Sequence, residues 1–208
     1  MATTVRRRHR RQPEVLDGAE GNEQLTALTG AVLLIGFAVE GLTVVAVHQL
    51  LTLHFFFGML LVGPVALKIC STVYRFARYY GGAEPYVRKG PPAPLLRLLG
   101  PFVIITSVAV LGSGVALAVV GPDQMGLWLL LHKASFVLWF GVMTIHVLAY
   151  AWRLPRILLG EPGSRARIAA PGGRFRWLLV GTSLATGLLI ALLTIHLATP
   201  WVARLSGH

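Results

Sequence analysis

Among the ionisable side chains inside long apolar runs are His54, Lys68, His132 and His146. Ionisable side chains are costly in such surroundings, so each is a candidate ligand or an interhelical hydrogen-bonding group. The segments LHFFFGMLLVGPVALKICSTVYR and LHKASFVLWFGVMTIHVLAYAWR align with a shift of 78 residues. The alignment matches His54 with His132, Gly63 with Gly141, Lys68 with His146 and Arg75 with Arg153. In each segment the two ionisable positions are 14 residues apart. On an α-helix that is about 21 Å of rise and just under four turns, which puts them on nearly one face at two depths. Two such helices side by side present His54 to His132 at one level and Lys68 to His146 at the other. Imidazoles on both sides of a haem make six-coordinate iron, which suits electron transfer because no position stays open. Gly63 and Gly141, between the levels, let flat rings approach the backbone. Arg75 and Arg153 lie about two turns beyond the second level, where haem propionates can be met.

The elements that must position these residues are transmembrane helices. Hydrophobic residues make up 55% of the 208 positions and charged residues 13%, too little polar surface for a water-soluble globule. A hydrocarbon core of about 30 Å needs roughly 20 apolar residues of helix, and five stretches meet that length. They run from Thr26 to Val47, Leu50 to Tyr74, Leu98 to Val120, Leu127 to Trp152 and Trp177 to Thr199. Lipid offers backbone groups no partner, and the period-2 alternation of a barrel strand is absent, so the spans are expected to be helices. The net charge is +11, and sixteen of the nineteen basic residues fall before the first span, between the second and third, or between the fourth and fifth. The positive-inside rule then puts the N-terminus in the cytoplasm and the C-terminus outside the cell membrane. A basic patch that hugs the membrane edge argues against nucleic acid as a partner and for anionic lipid. Residues 1–24 form a basic arm expected to be disordered and retained, 155–176 a cytoplasmic loop, and 177–208 the fifth helix with an external tail. Cys70 is the single cysteine, and no C-x-x-C-H motif is present, so any haem is held non-covalently.

With spans one to four read as two parallel-repeat hairpins, residues 25–154 resemble the membrane-embedded b-type cytochromes built on a four-helix bundle. That group includes respiratory cytochrome b subunits and the smaller bacterial di-haem cytochromes that serve hydrogenases, formate dehydrogenases and quinone oxidation. The most specific element is His132-x13-His146 on one helix. The resemblance implies an all-α polytopic membrane protein, a four-helix haem-binding bundle with a fifth transmembrane helix, carrying one or two haem b groups. It implies His54 and His132 as ligands of an outer haem and His146 as a ligand of an inner one. It also implies electron transfer with quinone or a redox partner protein, within a larger redox complex, rather than a stand-alone enzyme. Histidine would be expected in that family where this chain has Lys68. Three roles for Lys68 follow: a neutral amine on iron, a contact to a propionate, or a side chain that snorkels to the cytoplasmic interface.

Other polar residues have plainer readings. Glu40 and Lys133 lie at similar depth and are expected to neutralise each other, with proton exchange beside a quinone as a sharper role for Glu40 and an outer propionate as one for Lys133. His48 reads as a turn residue, and His196 as interfacial or, less readily, a substitute ligand or quinone contact. Trp128, Trp152, Trp177 and Trp201 read as interfacial anchors, and Met59 and Met143 as packing. The segment YYGGAEPYVRKGPPAP, Tyr79 to Pro94, reads as a non-helical loop of turns, able to lie on lipid or to dock an acidic partner. Two other functions use the same residues: a haem-free membrane anchor, partner subunit or small transporter with histidines as interhelical glue, or a zinc or copper site of His54, His132 and Glu40. The last lacks the i, i+3 or i, i+4 spacing that helical metal sites prefer.

Overall fold

The computed structural model describes residues 18–90, 94–151 and 173–206. Every regular element among them is a helix: α1 (Gly18–Val45), α2 (Val47–Tyr80), α3 (Glu84–Lys89), α4 (Pro94–Val120), α5 (Met125–Ala151), α6 (Gly173–Thr194) and α7 (Thr199–Leu205). Short 3-10 turns join α4 to α5 (Pro122–Gln124) and α6 to α7 (Ile195–Ala198). Five stretches have the length and apolarity to cross a membrane: Gly21–Val45, Val47–Tyr80, Leu96–Val120, Pro122–Ala149 and Gly173–Leu205. Of the arm 1–24, residues 1–17 lie outside the described residues, whereas 18–24, expected to be disordered, form the first turns of α1. Arg153 and Trp152 also lie outside, as does all of the loop 155–176 except its last four positions, which open α6.

Two hairpins hold the four repeat helices. The first reverses over Ala46–Leu50, where Ala46 leaves helical geometry and Leu50 (φ −108°, ψ 18°) kinks the start of α2. His48 sits exposed in that reversal, as its position between two apolar runs predicts. The second hairpin turns at Gly121 (φ +75°), a left-handed residue that glycine adopts without strain. His54 and His132 therefore each stand seven residues into their helix, counted from Val47 and Met125, at the same end of the molecule.

The fifth span is not a peripheral addition. α6 packs along α2 as closely as α1 does, so α2 lies between α1 and α6 and also touches α4. The cause is local. Pro64, fully buried, has no N–H for the carbonyl of Leu60, one turn earlier in α2. Gly187 of α6 lies against that carbonyl so closely that a Cβ there would stand 2.0 Å from the Leu60 oxygen. A Cβ on Gly63 would likewise stand 2.0 Å from the Ser183 carbonyl oxygen. Ser183 and Gly187 form the small-x3-small spacing that lets transmembrane backbones meet, and α2 answers with Gly63 and Pro64. Met59, Ala118 and the fully buried Ala191 extend this contact towards α4.

α2 runs 34 residues, about 51 Å, so its last turns project past a 30 Å core. There the chain departs from the loop expected for Tyr79 to Pro94. Gly81 and Gly82 end α2, but Glu84–Lys89 between the Gly and Pro clusters forms α3, with a proline in its first turn where the missing N–H is harmless. Tyr86 anchors α3: it is 4% exposed, edge-on to Tyr74 at 6.2 Å, with the Arg78 guanidinium 5.9 Å from its ring. Lys89 pairs with Glu23 of α1. At the opposite end Arg204 of α7 donates to the Pro122 carbonyl, 2.9 Å, tying the end of the chain to the α4–α5 turn.

Candidate functional site

Four helices converge on the first histidine level. His54 of α2 places its Nδ1 2.9 Å from Glu40 Oε1 and 3.0 Å from Thr43 Oγ1, both on α1. The Thr43 hydroxyl in turn donates to the Glu40 carbonyl at 2.6 Å. His132 of α5 places its Nδ1 3.1 Å from the Val110 carbonyl oxygen and 3.2 Å from Ser113 Oγ, both on α4. Ser113 also meets Ser135 Oγ at 3.1 Å. Gly114 leaves room for the imidazole, since a Cβ there would stand 3.1 Å from His132 Cε1.

These partners fix the tautomers. A carbonyl oxygen can only accept, so His132 carries its proton on Nδ1, and the Glu40 carboxylate asks the same of His54. Each ring is then left with a lone pair on Nε2, which no hydrogen bond reaches among the described residues. The ring centres are 6.3 Å apart with an interplanar angle of 66°. Two imidazoles bound on opposite sides of one metal have centres about 6 Å apart, from two metal–nitrogen bonds of about 2 Å and the distance from each nitrogen to its ring centre. The residues at this level therefore have the ring spacing of two imidazoles on one metal, with each ring held through Nδ1. They do not make a site for a bare zinc or copper ion: among the described residues no group of three or more His, Cys, Asp or Glu side chains could hold one.

The expected Glu40–Lys133 pair does not form. Glu40 faces α2 and takes His54 as its partner, while Lys133 is exposed on the outer face of α5. The two are alike in depth but lie on different faces, which spacing within one helix cannot reveal for a pair on two helices.

Below the histidines the bundle is apolar and aromatic. Phe37 of α1 meets Trp139 of α5 edge-on at 4.8 Å, and the Trp139 indole donates to Ser107 Oγ of α4 at 3.1 Å. Leu33, Leu61 and Val65 pack here with Phe37, Ile69 and Leu111. Trp139 escaped the sequence reading, yet its position was available: it stands midway between His132 and His146, two turns from each on the same face.

The second level is built differently. Lys68 turns onto α1 and donates from Nζ to the Thr26 carbonyl at 2.6 Å. Around it Thr26 Oγ1 meets Ser71 Oγ at 3.1 Å, Asn22 donates to the Ser71 carbonyl at 3.0 Å, and Thr72 donates to the Lys68 carbonyl at 2.8 Å. His146 is partly buried on α5. The repeat-related residues meet at the first level, whereas at the second Lys68 is engaged by backbone of α1. Asn22, Thr26 and Ser71 were missed because single small polar residues in an apolar run carry no spacing signal.

The remaining candidates separate. Gly63 gives its open side to α6, whereas Gly141 is exposed on α5 with nothing within 4 Å of a Cβ built there. Arg75 is half-buried near the end of α2, and Arg153 lies outside the described residues. Met59 is core packing. His196 borders an open groove of about 450 Å³ with Thr52, Thr199 and Ser206, away from the histidine pair's helix faces. Comparison of the chain with known protein families, with curated proteins and with solved structures finds no match.

Proposed function

We propose that the chain is an integral membrane b-type cytochrome that moves electrons through haem b held between His54 and His132, in exchange with a quinone or a redox partner protein. The observation that carries the reading is the pair of imidazoles from α2 and α5, 6.3 Å apart, each with Nδ1 held by an acceptor and Nε2 left over. When bound, the haem supplies one-electron oxidation and reduction, and the protein supplies ligation and orientation. Glu40 and Thr43 fix one ring and Val110 and Ser113 the other, so neither imidazole has to be immobilised when the ligand arrives. The second level, where Lys68 is spent on Thr26, favours one haem over two, with Lys68 clamping α2 to α1. The basic segments favour a cytoplasmic N-terminus and external C-terminus in the cell membrane, which puts the histidine pair in the outer leaflet.

A second reading has a specific observation behind it. Both histidines hydrogen-bond between helices, which is what interhelical glue in a haem-free anchor or partner subunit would do. A reduced-minus-oxidised spectrum of detergent-purified protein, with extracted haem quantified against protein, separates the two. Low-spin haem b near one per chain, lost in His54→Ala and in His132→Ala, supports the cytochrome. A flat spectrum from protein made with ample haem rejects it in favour of the anchor, and haem content unchanged in both variants rejects the His54–His132 site.

A further inference from the structure

The two imidazoles of the pair are supported unequally. His132 leans on a backbone carbonyl and a serine hydroxyl, both neutral. His54 leans on a threonine hydroxyl and a carboxylate. The groups facing Glu40 are Thr43 on its own helix and, across α2, His54 and the backbone of Gly58, where a Cβ would stand 3.4 Å from Oε1. Among the described residues its ion-pair partner is His54, and neither Lys89, which pairs with Glu23, nor Arg204, which pairs with Asp123, reaches it. We infer that Glu40 is a positioning and tuning residue whose carboxylate, acting through His54 alone, holds the bound redox group at low potential.

This inference rests on the cytochrome reading above. A carboxylate on the far nitrogen raises the basicity of an imidazole ligand, and a more basic ligand favours the more highly charged, oxidised metal. The surroundings strengthen the effect: Thr43 is 3% exposed and Glu40 side-chain exposure is 16%, so little water screens the charge. On the opposite side Val110 and Ser113 orient His132 without adding charge. Removing charge from one side and hydrogen bonds from the other should therefore give different results, which a purely structural role for the cluster would not.

The experiment is a redox titration of the haem-loaded, detergent-purified full chain as wild type, Glu40→Gln, Thr43→Val and Ser113→Ala. Glu40→Gln keeps shape and an acceptor oxygen but removes the charge. Second-shell partners contribute about 10- to 100-fold to metal affinity. A tenfold loss confined to the oxidised state raises a one-electron midpoint by about 59 mV. The expected result is a rise of that size or more in Glu40→Gln, with Thr43→Val and Ser113→Ala shifting the equilibrium less than threefold. If Glu40→Gln holds haem too weakly to titrate, haem-binding titrations in the two oxidation states read the same coupling, and oxidised haem should be lost the more. An unchanged midpoint in haem-loaded Glu40→Gln, or equal loss of both oxidation states, overturns the inference while the cytochrome reading stands. Absence of haem from the wild type overturns both.

Discussion

Gly63 and Gly141 occupy matching positions of the internal repeat, yet replacing each with alanine should move stability in opposite directions. A methyl group on Gly63 would stand 2.0 Å from the Ser183 carbonyl oxygen and 2.9 Å from the Gly187 amide nitrogen. Both neighbours are backbone and cannot rotate away, so α6 must shift from α2 by more than 1 Å to restore a contact near 3.4 Å. That opens the packing around Val180, Met59 and Ala191, all within 6% of full burial. Overpacking of this kind costs about 1–3 kcal/mol, and the rigid neighbours put Gly63→Ala at the upper end. At Gly141 a methyl group meets nothing, and removing glycine from a helix interior gains about 0.5–1 kcal/mol. For a chain of this size each kcal/mol moves the melting temperature by about 2–4 °C. Gly63→Ala should therefore melt roughly 5–10 °C below the wild type and Gly141→Ala slightly above it. Thermal melts in one detergent, followed by circular dichroism, provide the comparison. Equal shifts in the two variants, or a Gly63→Ala melt within 2 °C of the wild type, would refute the close α2–α6 crossing (a threshold of about one kcal/mol).

Lys68→Met removes a charged donor from the Thr26 carbonyl, so the melt should fall by the equivalent of about 1.5–3 kcal/mol while the haem-to-protein ratio stays at its wild-type value. A haem lost with Lys68 would instead make the lysine a ligand. Trp139→Phe keeps the edge-on ring contact with Phe37 but drops the bond to Ser107, a loss of about 1 kcal/mol that Ser107→Ala should reproduce and the double variant should not double. Burial, with Tyr74 beside it, raises the pKa of the Tyr86 phenol above its ordinary value near 10. The folded state then holds the proton more tightly than the unfolded one, so this contribution is complete below pH 10 and is lost as pH rises through the folded-state value. Tyr86→Phe should melt like the wild type at pH 7.5 and lose less than it at pH 11; identical losses at pH 11 would exclude Tyr86 as the source.

Composition and spacing determined the coarse architecture of this protein for a simple physical reason. A helix that must satisfy its backbone in lipid announces itself by twenty apolar residues in a row, and a 14-residue interval places two side chains on one face whatever surrounds them. The helical spans, the turn at His48 and the approach of His54 to His132 were legible on those grounds. Which face of each helix meets which neighbour was not. The internal repeat makes Gly63 and Gly141 equivalent, but the repeat has no counterpart of α6, and α6 closes on Gly63 only. Depth along the chain pairs Glu40 with Lys133, but rotation about the helix axes turns Glu40 to His54 and Lys133 outward. The alignment matches Lys68 with a histidine, but a flexible chain ending in a strong donor finds the nearest carbonyl, and that carbonyl belongs to α1. Rise along a helix is a property of the sequence; azimuth among several helices is settled only when all of them pack together.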